Sequence, residues 1–446
     1  MNEPPGVRER LQREYGLKVL RLSMSSEDGK GHVLFSFSGP DGIESALLNA
    51  SCEEIGVSSD DIKWASTATM RIPDHITGAL RHLLEETEPA GAPLWIRISA
   101  PVGLLPAVPW ERLLQFALEV PILRLPYHIV TPRAPEKDFD SVICFSSPAA
   151  KRETEMDVVQ AFIKQIPVDL AKYTTFHIFA DRSVYENLVD IQLHFGSQYK
   201  IIVYDASQVN LDKASDENPW LTWMRRALSG RSADVVHFIC HGCWMRDEGT
   251  LALAESPMRN ENLECARLVN SADLVDFLNA TGAWSLAFSS PPTNTSPGGM
   301  RMLQDSVARA RPGPVLFHDM TAPGAETALM TTYRFLYGVS EPSPASPAIS
   351  LYCHPFRQSG HEDAESNRVL NEYTLAGRLG ERLKGGASLP AWLAASQRVL
   401  EATASDLAAA VEVDPDSGRK KARDFVLEAL ADYAAHPDQE EGAEES

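Results

Sequence analysis

The sequence predicts an α/β protein, an α/β sandwich with a largely parallel central sheet. Short apolar runs alternate with amphipathic stretches from about residue 15 to residue 340, the pattern of strands joined by helices. Two of the runs, KIIVY at 200–204 and VVHFIC at 235–240, are near-continuously apolar, which fits central strands covered on both faces. The length, 446 residues, allows one large domain with an appendage or two domains.

Taken in order, strands are expected at Lys18–Leu22, His32–Phe37, Leu94–Ser99, Ser141–Phe145, Thr175–Phe179, Lys200–Tyr204, Asp234–Cys240, Trp284–Ser289 and Pro314–His318. Helices are expected near Glu153–Ile166, Trp220–Leu228, Ala272–Leu278, Arg301–Arg309 and Gly324–Leu336. The run SEPSPASP at 340–347 interrupts this pattern, because its prolines cannot continue a helix. One more apolar run, Ala348–Tyr352, follows. From 363 to 436 apolar residues recur at helical spacing, as in Trp392, Leu393, Val399 and Leu400, and two or three amphipathic helices are expected there. The chain then divides into an N-terminal arm (1–14), a main domain (15–355), a C-terminal helical extension (363–436) and a solvated acidic tail (437–446).

Sixty-one acidic residues against 41 basic ones give a net charge of −20. That balance argues against nucleic acid or an anionic membrane as the main partner, since both need a basic footprint. No run is apolar enough to span a membrane, and MNEPPGVRER lacks the apolar core of a secretory signal. Six cysteines in such a chain fit a reducing cytoplasm rather than a disulfide framework. No cofactor is expected, as phosphate-cradling glycine motifs and the G-x-S-x-G elbow are missing. Ser296–Gly299 reads as a flexible loop.

The sharpest local feature is Asp234-Val-Val-His-Phe-Ile-Cys-His241-Gly242. Reactive groups in open α/β sheets sit at the carboxyl ends of strands, and His241 stands at such an end. Gly242 would let the backbone turn sharply and approach a ligand. His237 lies on the same strand face, four residues earlier, and reads as a satisfied core histidine. The same residues contain Cys240-His-Gly-Cys243, a possible redox pair or half a zinc site. Only Cys265 lies nearby and there is no second C-x-x-C, so no metal site is assigned.

The next apolar run, Ala283–Ser290, ends in two serines and then two prolines. A nucleophile there would sit beside His241 if the strands are neighbours. Ser289 follows His241 by about 50 residues, the interval between histidine and cysteine in caspase-type enzymes. A thiol can be driven to thiolate by nearby charge, whereas serine needs a tightly bonded, oriented base. No cysteine lies between Cys265 and Cys353. Either Ser289 or Ser290 therefore takes the nucleophile's place in a slow or dead site, or both serines merely open a loop.

Three segments together resemble the CHAT family of caspase-like proteases: Leu105-Pro-Ala-Val-Pro109-Trp110-Glu111-Arg-Leu-Leu, DVVHFICHG, and SLAFSS where members carry a strand ending in cysteine. The resemblance covers roughly residues 15 to 340 and implies a caspase-like sandwich and cysteine endopeptidase chemistry, in a clan with caspases, separases and gingipains. It makes His241 the catalytic histidine, Gly242 the oxyanion-side amide, and Ser289 or Ser290 the occupant of the cysteine position. Trp110 and Glu111 would tie an early segment to the sheet. His318, Asp319 and Trp244 would line the substrate pocket, with Asp319 selecting a basic residue. CHAT proteins commonly serve bacterial defence or regulated cell death, cutting a partner protein once a sensor activates them. Two functions follow as expectations. One is a protease acting on a protein or peptide substrate under an activating partner. The other is a pseudoprotease that binds a partner without cutting it.

Overall fold

The computed structural model describes residues 12–355, apart from residue 14, the stretches 28–29, 58–69, 88–90, 129–138, 147–173, 209–217, 229–230, 246–247, 259–265, 292–295 and 338–341, and most of 181–199. The expected helix at 153–166, the C-terminal helices at 363–436, the acidic tail and most of the N-terminal arm lie outside the described residues.

Among the described residues, fourteen strands form one mixed sheet. In chain order they are β1 (Lys18–Glu27), β2 (Lys30–Ser38), β3 (Glu44–Ser51), β4 (Leu94–Ile98), β5 (Ile122–Arg124), β6 (Phe139–Ser146), β7 (Thr174–Ala180), β8 (Lys200–Tyr204), β9 (Val235–Met245), β10 (Glu248–Ala254), β11 (Ala266–Val269), β12 (Ser285–Ser290), β13 (Val315–Asp319) and β14 (Ile349–Tyr352). The spatial order is β3-β2-β1-β4-β5-β14-β13-β12-β9-β6-β7-β8, and β10 with β11 extends from the far end of β9. From β1 through β4 and on to β8 every pairing is parallel except β13 with β14. All nine strands expected from the sequence are present, and Ala348–Tyr352 supplies β14.

The described helices are α1 (Cys52–Ile55), α2 (Asp74–Glu86), α3 (Trp110–Leu118), α4 (Pro219–Leu228), α5 (Ser271–Ala280), α6 (Pro297–Ala310) and α7 (Ala325–Tyr337). Helices α4, α5 and α6 pack on one face of the sheet around Phe238, Leu286 and Phe317. On the opposite face, α7 packs on Ile239, Ala287 and Leu316. Strict alternation along β9, β12 and β13 sends neighbouring residues to these two cores, so every residue from Val235 to His241 is buried. The segment Ser296–Gly299, expected to be a flexible loop, is instead the first turn of α6. Ser296 caps it by accepting from the Gly299 amide at 3.1 Å, and Pro297 sits at the first helical position, where its missing N–H costs nothing.

The first five strands form their own half-sheet, with α2 and α3 on a core of Phe35, Ile96 and Trp110. This half meets the rest at β5 and β14, through a single registered pair, Arg124 and Tyr352. Side chains reinforce the join. The Arg124 guanidinium forks onto Glu111, Nε to Oε1 at 2.6 Å and Nη2 to Oε2 at 3.1 Å, and its Nη1 reaches Tyr352 Oη at 3.5 Å. Tyr352 in turn donates to Asp305 Oδ1 of α6 at 2.5 Å. Burial opposes the charge on Arg124, but the Glu111 carboxylate outweighs it and raises the guanidinium's pKa. Trp110, next to Glu111, is fully buried and donates its indole N–H to the Leu105 carbonyl at 2.8 Å. The Pro-Trp-Glu segment thus ties residues 105–118 to the sheet.

Candidate functional site

The site expected from the sequence lies where β9 and β12 run side by side. Their parallel register pairs Ser289 with Ile239, and the ladder ends there. His241 is two residues further along β9, on the same face as His237 and Ser289. Beyond that pair His241 is in register with Ala252 of β10, and Pro291, the residue after β12, is buried. Ser290 points to the opposite face, beside Asp319 of β13. The strands are therefore neighbours as expected, and the two serines at the end of β12 face opposite sides of the sheet.

Ser289 is committed elsewhere. Its Oγ lies 2.8 Å from His237 Nε2 and 3.0 Å from His318 Nδ1. His318 Nε2 is 3.0 Å from the Ala325 carbonyl, and His237 Nδ1 is 2.7 Å from Tyr333 Oη. A carbonyl only accepts, which fixes every proton in the chain. His318 donates from Nε2, so its Nδ1 accepts the Ser289 hydroxyl proton. Ser289 then accepts from His237 Nε2, and Tyr333 donates to His237 Nδ1. Four hydrogen bonds run in one direction through neutral groups. Ser289, His237 and His318 are all buried to within 1 % exposure. Burial lowers the His318 pKa to about 4, and burial together with His318 lowers that of His237 well below its usual value. Burial of this kind disfavours the protonated imidazole that a serine nucleophile's base must become. Sequence reading placed His237 in the core correctly but did not see that it and His318 converge on Ser289 from the two flanking strands. The signal was present: both histidines share a strand face with Ser289 by period two.

His241 is itself 2 % exposed, and burial lowers its pKa to about 4. Gly242 does not form a sharp turn. β9 continues through it to Met245 and pairs with β10, Gly242 opposite Leu251. Its missing side chain makes room for the protein itself: a Cβ there would lie 2.2 Å from Met300 Cγ and 3.0 Å from the Ser296 carbonyl. Across the hairpin, a Cβ on Gly249 would lie 1.9 Å from the Gly299 carbonyl. These glycines let the hairpin rest backbone to backbone on the first turn of α6. Gly249→Ala is expected to cost about 1–3 kcal/mol by overpacking, since the obstacle is backbone. Gly242→Ala should cost less, because Met300 can move. Thermal melts of both variants check this order, and unchanged melting for Gly249→Ala would contradict the close packing.

The three residues expected to line a substrate pocket do not converge. His318 faces α7 and is occupied as described. Asp319 faces α6, where Oδ2 meets Arg301 Nη2 at 3.4 Å and Oδ1 accepts from the Thr321 amide at 3.0 Å and hydroxyl at 2.6 Å. Its charge is matched inside the protein, which removes the basis for selecting a basic substrate residue. Trp244 packs half-buried against the core of the first half-sheet. Cys240 and Cys243, three apart on a strand, point to opposite faces and cannot chelate or pair. Both are free thiols, raised in pKa chiefly by burial. Among the described residues no group of three or more His, Cys, Asp or Glu side chains is arranged to hold a metal ion. Neither a scan of protein-family models nor a search of curated proteins finds a match for this chain.

Proposed function

We propose that this protein is a caspase-like pseudoprotease of the CHAT type, which binds a partner protein in a bacterial defence or cell-death response without cutting it. One observation carries the reading: Ser289, the hydroxyl at the expected interval from His241, is spent between His237 and His318. The order of the Pro-Trp-Glu segment, the histidine strand and the strand after it supports the family part of the proposal, as does the placement of His241 where the β9–β12 ladder ends. A cytoplasmic setting is part of the same proposal, supported by free thiols at Cys52, Cys144, Cys240, Cys243 and Cys353. No helix among the described residues is long and apolar enough to cross a membrane.

The test is turnover of casein and of a fluorogenic peptide library by the native chain and by Ser289→Cys and Ser290→Cys. All three are expected to remain at background. Cleavage by the native chain that disappears in His241→Ala would overturn the proposal. Cleavage gained by either cysteine variant would restore the view that the serine merely replaces a lost thiol.

A further inference from the structure

Among the described residues, β3 closes one edge of the sheet and has a single neighbour, β2. Edge strands in natural proteins are shielded by lysine, proline, bulges or a covering loop, because an open row of backbone N–H and C=O groups templates another strand. Glu44–Ser51 reads ESALLNAS, with neither lysine nor proline. The one register irregularity of the pair, between Phe37 and Ser38, falls at its start and leaves the middle regular. That middle is apolar on both faces. Leu47 is 62 % exposed on the outer face, and Ala46 and Leu48 are half-buried against the inner core. Ile43, just before the strand, is 65 % exposed. Both ends carry exposed acids, Asp41 and Glu44 before the apolar centre and Glu53 and Glu54 after it, and no Lys or Arg occurs from 41 to 54. Arg13 lies against Gly42 at the first end, which leaves the second the more acidic. The imidazole of His75, 3.4 Å from the Asn49 carbonyl, approaches the strand at its far end.

We infer that β3 receives an extended segment of a partner protein as an added strand, one with an apolar residue at its centre and Lys or Arg on either side. Backbone hydrogen bonds would supply the fit, side chains against Ala46, Leu47 and Leu48 the apolar burial, and the acidic ends the selection of a basic segment. A second copy of this chain matches less well. Antiparallel self-pairing about Leu47 sets the Glu44 end of each strand against the Glu53 end of the other, like charge against like. This surface lies on the first half-sheet, apart from His241, so it goes beyond the reading above and can fail independently of it.

The experiment uses the full chain and a fluorescein-labelled ten-residue peptide alternating Val and Thr at its centre with Lys and Arg at both ends. A version with Glu in place of the basic residues serves as control. Anisotropy is expected to show saturable binding of the basic peptide only, weakened at least 10-fold by Leu47→Asp. That substitution adds negative charge, so simple charge attraction would be strengthened by it. Circular dichroism confirms the variant's fold, which the exposure of Leu47 should preserve. Failure of the basic peptide to bind, or binding undiminished by Leu47→Asp, overturns the inference. Concentration-dependent dimers in sedimentation that vanish in Leu47→Asp overturn it in favour of a second copy.

Discussion

Glu111→Ala is expected to lower the stability of the protein by about 3–5 kcal/mol, the usual result of stranding one member of a buried ion pair. Arg124 is fully buried and Glu111 is 2 % exposed, so no water replaces the lost carboxylate. The remaining partners of the guanidinium are weak, the Tyr352 hydroxyl at 3.5 Å and the Pro106 carbonyl at 3.4 Å. The loss falls where the two half-sheets meet through one registered pair. Urea unfolding followed by tryptophan fluorescence measures it, since Trp95 and Trp110 lie in the first half and Trp220 and Trp223 in the second. A double variant, Glu111→Leu with Arg124→Met, should recover much of the loss, because it removes both charges rather than one. A single variant as stable as the native protein would mean that the pair is not buried as described.

Acid should unfold the protein well above pH 4. Burial holds His241, His318 and His354 at pKa values of about 4, and burial together with His318 lowers His237 well below its ordinary value. In the unfolded chain these imidazoles take up protons near their ordinary value of about 6.5. The unfolded state therefore binds more protons throughout the interval between, and stability, complete above pH 6.5, is lost progressively as pH falls toward 4. His241, His318 and His354 each contribute on the order of 3 kcal/mol across that window. Together they are comparable to the net stability of a typical domain. Urea midpoints at pH 7.5, 6.5, 5.5 and 4.5 should fall steadily from the second value onward, and His354→Gln should fall less steeply. A flat profile would show that the imidazoles reach water in the native protein.

Strand positions were legible wherever an apolar run stood against polar flanks, as at VVHFIC and VLFH. β3 and β10 escaped because their letters, ESALLNAS and EGTLALA, are poor in β-branched and aromatic residues; their pairing with β2 and β9 carries them. β5, three residues long, has no period to detect. α2 and α3 were missed for another reason, α3 having been read only as a motif. Of the site, the adjacency of the two key strands was legible from their order. The role of Ser289 was not. Spacing along the chain says which strands are neighbours, but register decides which side chains meet, and here it sets Ser289 between His237 and His318.

The way β14 joins the halves has a consequence for synthesis. A ribosome delivers the first five strands, then most of the remaining sheet, while the slot between β5 and β13 still stands empty. Two raw strand edges, including the fully buried Phe317 and Leu123, stay available to other nascent chains until Tyr352 has emerged. A chain that ends between Asp319 and Ile349 is therefore expected to aggregate more readily than one that includes β14.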